Sequence, residues 1–73
     1  MKVKLYNDGY NEIVFNPSTK KVIIGINIMS HFGSRYRSFK AKTEEEAVKI
    51  GTVYINQNSK VKVNAQEFKN LQL

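Results

Sequence analysis

Residues 35–57, RYRSFKAKTEEEAVKIGTVYINQ, change character once, and the point of change sets the fold. Up to Lys42 every charge is positive; from Glu44 three acids follow in a row. Thr43 stands at the boundary with Glu46 three residues on, the capping-box spacing in which a hydroxyl and a carboxylate satisfy backbone N–H groups at a helix start. Glu44, Glu45 and Glu46 occupy the first turn, where the helix dipole favours negative charge. Beyond them Ala47, Ile50, Gly51 and Tyr54 recur at i, i+3, i+4 and i+7, and Val48 and Ile55 widen the stripe. The stretch therefore predicts a basic strand over 35–42 feeding a helix over 44–57, ended by Asn56 or Asn58. Gly51 inside a helix costs about 1 kcal/mol relative to alanine, so its presence implies close packing on a sheet.

Working back toward the N-terminus, residues 20–29 (KKVIIGINIM) form the strongest strand pattern in the chain. Val22, Ile24, Ile26 and Ile28 share one face, expected to be the core; Ile23, Gly25, Asn27 and Met29 share the other. Gly25 there marks a bulge or a close approach by another backbone. Residues 12–15 (EIVF) give a shorter strand, joined to the first by Asn16-Pro17-Ser18-Thr19, with Pro17 preset for a turn. Residues 2–6 alternate, with Val3 and Leu5 on one face and Lys2 and Lys4 on the other, and Asn7-Asp8-Gly9 supplies a turn that tolerates positive φ. Ser30 to Ser34 turns the chain again, with Gly33 as its special residue.

The basic strand has two readings. Phe39 and Ala41 share a face with Arg35 and Arg37, while Tyr36, Ser38 and Lys40 share the other. Either the arginines leave the core face at the strand's outer end, or a bulge near Ser38 switches the faces. After the helix, residues 60–63 (KVKV) alternate and predict a last strand, and residues 65–72 predict one helical turn in which Phe68 and Leu71 cover a core edge. The expected architecture is α+β: a small antiparallel sheet in the order β-β-β-β-α-β, with one main helix on one face.

At 73 residues the chain is expected to be one domain, 1–73. A domain this small buries only about 60% of its unfolded surface. With no cysteine it has neither disulfide nor thiolate metal site, and one histidine, His31, makes no metal site alone. A well-patterned small core or self-association must hold it together. No stretch approaches the ~20 apolar residues of a membrane span, and no apolar run follows Lys2 and Lys4 as in a signal peptide. A cytoplasmic protein with no membrane partner is expected. Frequent Asn, Lys and Ile suggest an AT-rich genome, bacterial or phage.

The formal net charge is +6, with a pI of about 9.7. Six bases, Lys20, Lys21, Arg35, Arg37, Lys40 and Lys42, fall between residues 20 and 42 without an acid, and the remainder of the chain is neutral. A neutral body with one concentrated basic region suits an anionic partner. Arginine reads guanine bidentately, and lysine suits phosphate. Tyr36 between two arginines, like Phe32 beside His31, has the composition of a base-stacking surface. The competing reading is structural: edge strands carry lysine against aggregation, and Tyr36 packs on the sheet.

The hairpin-linked strands, the basic strand and Thr43-Glu44-Glu45-Glu46-Ala47-Val48 together resemble the DNA-binding domain of plant ethylene-response factors. They are also similar to the amino-terminal arm-binding domains of tyrosine recombinases from phages and conjugative transposons. The resemblance covers residues 10–57, with residues 20–26 as central strand and 35–42 as third strand. It implies a three-stranded sheet lying in the DNA major groove with a helix behind it. The central strand lacks the tryptophan of the plant members, and residues 10–15 carry no base and one acid, Glu12.

These readings lead to a small basic nucleic-acid-binding protein, accessory or regulatory, with DNA ahead of RNA as partner. The expected contacts are Lys20, Lys21, Arg35, Tyr36, Arg37, Lys40 and Lys42. No enzyme, catalytic residue, metal or cofactor is expected: consecutive helical glutamates diverge by ~100°, and His31 has no acid or nucleophile beside it. The alternative is a phage-encoded inhibitor, such as an anti-CRISPR, that binds a host protein or its own copy (a homodimer) through Ile23, Asn27, Met29 and Tyr36.

Overall fold

The computed structural model describes residues 2–28 and 35–63. Four strands, β1 (Val3–Asn7), β2 (Asn11–Asn16), β3 (Lys21–Ile26) and β4 (Arg35–Lys40), precede one helix, α1 (Glu44–Asn58). The strands form one antiparallel sheet in the order β1-β2-β3-β4, an up-and-down meander. The helix lies across β2 and β3 on one face, and sheet and helix make one small α+β domain.

The strand alternation sorts the two faces. Phe15, Val22 and Phe39 lie in one row, as do Ile13, Ile24 and Arg37, all on the helix side. The buried core comprises Leu5, Tyr6, Ile13, Phe15, Val22, Ile24, Ile26, Ala41, Ala47 and Ile55. Each large aliphatic side chain fully removed from water contributes about 1.5–3 kcal/mol.

Strict alternation fails once, in β1. The pairing runs Lys4 to Val14 and then Tyr6 to Ile13, so Leu5 is an extra residue in a β-bulge. The bulge restores Tyr6 to the helix side, and Leu5 and Tyr6 are both buried. The next connection contains Gly9 at φ 93°. There the Asp8 carboxylate accepts from the backbone N–H groups of Tyr10 and Asn11, both at 2.8 Å.

The helix begins at the expected boundary. Thr43 caps it, its hydroxyl accepting from the Glu46 N–H at 3.1 Å. The reciprocal arm lands one residue early: Glu46 Oε1 accepts from the Lys42 N–H at 2.7 Å. The buried line is Ala47, Gly51 and Ile55, with Val48, Ile50 and Tyr54 half-buried beside it. Gly51 has the packing reason its position implied. A Cβ there would lie 2.5 Å from Ile13 Cδ1 and 2.7 Å from its Cγ1.

The expected last strand over 60–63 does not form; those residues join no ladder. Side chains hold them instead. Asn11 Nδ2 donates to the Val61 carbonyl at 2.9 Å, the Val63 N–H donates to Asn56 Oδ1 at 2.9 Å, and Lys62 Nζ donates to the Asn56 carbonyl at 2.8 Å. Alternation shows that a segment can pair as a strand, but it supplies no partner edge. The strand expected over 20–29 stops at Ile26, with Asn27 in the left-handed region at φ 57°. The turn at 30–34 and the helical turn over 65–72 lie outside the described residues.

Candidate nucleic-acid interface

The basic residues collect at the β3–β4 side of the sheet, in two groups. The first is built by the β2–β3 turn. Asn16 Oδ1 accepts from the Ser18 N–H at 3.0 Å, the Lys20 N–H returns to the Asn16 carbonyl at 2.9 Å, and Lys20 takes φ 58°. That left-handed residue reverses the chain so that Lys21 enters β3 directly opposite Lys40. One further bond, from the Ala41 N–H to the Lys20 carbonyl at 3.0 Å, carries the pairing past the strand ends. Lys20, Lys21, Lys40 and Lys42 thereby line one shallow depression with Thr19 and Ala41.

The second group lies at the other end of β4. Arg35 pairs with Ile26 and Arg37 with Ile24, both core residues, so the two arginines stand on the helix side. The pairing is regular from Lys40 to Arg35, and no bulge switches the faces. The arginines escape burial because the helix covers β2 and β3 while β4 extends beyond it. Only Phe39 of β4 is half-buried, its ring 5.6 Å from that of Tyr54. Arg35 and Arg37 line a groove with Tyr36, Tyr54 and Asn58.

The opposite face of the sheet carries no second layer among the described residues. Across β3–β4 it presents Gly25 beside Tyr36, Ile23 beside Ser38 and Lys21 beside Lys40. The seven predicted contacts thus divide. Tyr36, Lys21 and Lys40 belong to the open face, the arginines to the helix face, and Lys20 and Lys42 to the end between them. His31, Phe32 and Met29 lie outside the described residues.

None of the six bases forms an ion pair among the described residues, where the pair present is Lys4 with Glu12 at 3.9 Å. The helix acids bound the lysine group, since Glu46 holds the Lys42 backbone, so the positive field is less diluted at the arginine end. No three His, Cys, Asp or Glu side chains among the described residues come together as a metal site. No described helix is long and apolar enough to cross a membrane.

Sequence reasoning did not place Tyr54 and Asn58 beside the arginines, because that contact depends on where the helix crosses the sheet. It also missed an apolar groove between Phe39 and the helix residues Ile50, Val53 and Tyr54. Val53, 55% exposed there, is a large apolar residue outside the core. Comparison with protein-family models, with curated proteins and with solved structures finds no match to this chain.

Proposed function

We propose that this protein binds nucleic acid through the β3–β4 side of its sheet, as a small accessory or regulatory factor, with DNA the first ligand to test. The observation that carries this reading is the direct opposition of Lys21 and Lys40, flanked by Lys20 and Lys42, with none of the four ammonium groups in an ion pair among the described residues. Like charges facing each other across a ladder destabilise the free sheet. A polyanion relieves that repulsion. Protection of a sheet edge by lysine accounts for Lys40 on β4 but not for Lys21 on β3, an interior strand. Arg35 and Arg37 extend the positive surface round the β4 edge, so a phosphate backbone following that edge meets cations from both faces.

Fluorescence anisotropy against salt tests the reading. Six phosphate contacts give a slope of log K on log salt of about −5, and affinity falls about a thousand-fold from roughly 50 to 200 mM salt. The triple substitution R35E/R37E/K40E abolishes that binding. Retention of a steep salt-dependent shift by the triple variant overturns the assignment.

The groove of Phe39, Ile50, Val53 and Tyr54 supports a second reading, a protein contact made with another copy of the chain or with a host protein. Light scattering over a concentration range, with Val53→Lys as control, tests the self-association arm. A wild type that stays monomeric throughout removes that arm.

A further inference from the structure

Tyr36 and Gly25 face each other on the open side of β3–β4. A Cβ at position 25 would lie 2.6 Å from Tyr36 Cε2 and 3.0 Å from Cδ2, so one edge of the ring rests on the bare glycine backbone. Gly25 is buried beneath the ring and the Ile28 side chain, whose Cγ2 would lie 3.0 Å from the same Cβ, yet Tyr36 remains 55% exposed. No described residue hydrogen-bonds its hydroxyl. The ring is thus held on a rigid strand with much of its surface turned to solvent.

The same face continues through Ile23 and Ser38 to Lys21 and Lys40. Lys40 lies four residue steps along the strand from Tyr36, about 13 Å at ~3.3 Å per residue. An aromatic platform and a pair of cations therefore lie in line on a sheet face that no second layer covers among the described residues. The acid on that face, Glu12 on β2, stands across Gly25 in the same row as Tyr36, and Lys4 on β1 pairs with it at 3.9 Å on the side away from β4. A paired duplex presents base edges and phosphates in its grooves but encloses the base faces; an unpaired base presents its face to an aromatic ring. Sheet surfaces carrying exposed aromatics bind single strands in this way.

We propose that the open β3–β4 face takes single-stranded nucleic acid, with an unpaired base stacked on Tyr36 and neighbouring phosphates on Lys21 and Lys40. This rests on the nucleic-acid reading above and narrows its ligand. The helix-side arginines hold the same strand where it passes the β4 edge. Covering a glycine also stabilises strand pairing, so the test must separate the ring's support of the sheet from its contact with a base.

The experiment is fluorescence anisotropy at fixed low salt with labelled oligothymidine, oligouridine and a duplex of equal length. Wild type binds at least one single strand about ten-fold or more tighter than the duplex. The tighter of the two identifies DNA or RNA as the source of the strand. Tyr36→Ala lowers single-strand affinity about ten-fold or more and lowers duplex affinity by a much smaller factor, so that the single-strand preference is lost. Tyr36→Phe retains the preference because the ring remains. Tyr36→Leu still covers Gly25 but offers no π face, so it loses the preference while melting close to wild type; it decides the matter if Tyr36→Ala does not fold. Equal affinity for single strand and duplex, or a preference that survives Tyr36→Leu, overturns the stacking proposal and leaves the basic surface standing. Absence of binding to all three ligands overturns both.

Discussion

The side chains of Asn11 and Ser59, 48 residues apart in sequence, meet in the interior, where Ser59 Oγ donates to Asn11 Oδ1 at 2.8 Å. Both residues are buried, and Asn11 also donates to the Val61 carbonyl at 2.9 Å. One amide therefore ties β2 to the helix end and to the segment beyond it.

Asn11→Ala leaves the Ser59 hydroxyl and the Val61 carbonyl without this partner. The expected loss is about 2–6 kcal/mol, from roughly 1–3 kcal/mol for each of the two groups left unsatisfied. Ser59→Ala removes only one of these bonds and costs less. Urea denaturation of the two variants checks the order.

Gly51 and Ile13 form the closest approach of helix to sheet. Gly51→Ala gains about 1 kcal/mol of helix propensity, but its methyl meets Ile13 at 2.5 Å. Overpacking of this kind costs about 1–3 kcal/mol, so the single variant is expected to be less stable than wild type. Combined with Ile13→Ala, the new methyl has room. The double variant should therefore lose less stability than the two single losses added together. Simple additivity in the mutant cycle would mean that the two sites are not coupled.

The Asp8 carboxyl gives a pH dependence of known sign. Burial alone would raise its pKa, but hydrogen bonds from the Tyr6 hydroxyl, the Asn11 and Tyr10 backbone and the Asn11 amide together hold it below the ordinary value. A lowered folded-state pKa contributes stability that is complete above the unfolded value, about 3.9. That contribution is lost as pH falls through the folded value. Stability should therefore decline below about pH 4, and Asp8→Asn should flatten the decline. An unchanged acid limb in urea midpoints of Asp8→Asn would assign the effect elsewhere.

Lys40→Glu separates stability from binding. Opposite charges now face each other across β3–β4, and the sheet is expected to gain about 0.5 kcal/mol. The same substitution removes a phosphate contact and adds repulsion, so nucleic-acid affinity and the magnitude of the salt slope both fall. Opposite signs in a thermal melt and in an anisotropy titration are the expected result. A loss in both would show that Lys40 supports the fold rather than a partner.

The helix start was legible because capping is local: Thr43, Glu46 and the acids between them act within one turn. The core face of β3 was legible as far as Ile26 because Val22, Ile24 and Ile26 alternate without interruption; Ile28, expected on the same face, lies past the strand end and packs against Gly25 on the other side. The bulge at Leu5 was not, since Leu-Tyr reads as ordinary alternation until the Val14–Ile13 pairing shows the extra residue. Residues 60–63 failed in the opposite sense. Their alternation is real, but Asn11 and Asn56 satisfy their backbone through side chains. Of the candidate site, the residue types, the charge segregation and the placing of Tyr36 and the arginines on opposite faces were readable; which of those faces the helix side takes was not, and the regular β3–β4 pairing decides for the arginines.

By itself the sequence determined the four strands that precede the helix, though not that residues 60–63 stay out of the sheet, together with the site of the helix cap, the apolar stripe and a basic segment free of acids. All of these depend on side-chain period and near-neighbour chemistry. Only the tertiary structure decided that Lys21 faces Lys40, that Tyr36 rests on Gly25, and that Arg35 and Arg37 stand on the helix side yet remain exposed. Those relations follow from ladder register and from the helix covering β2 and β3 while β4 extends past it. Register and coverage arise from contacts between segments distant in sequence, and no local pattern encodes them.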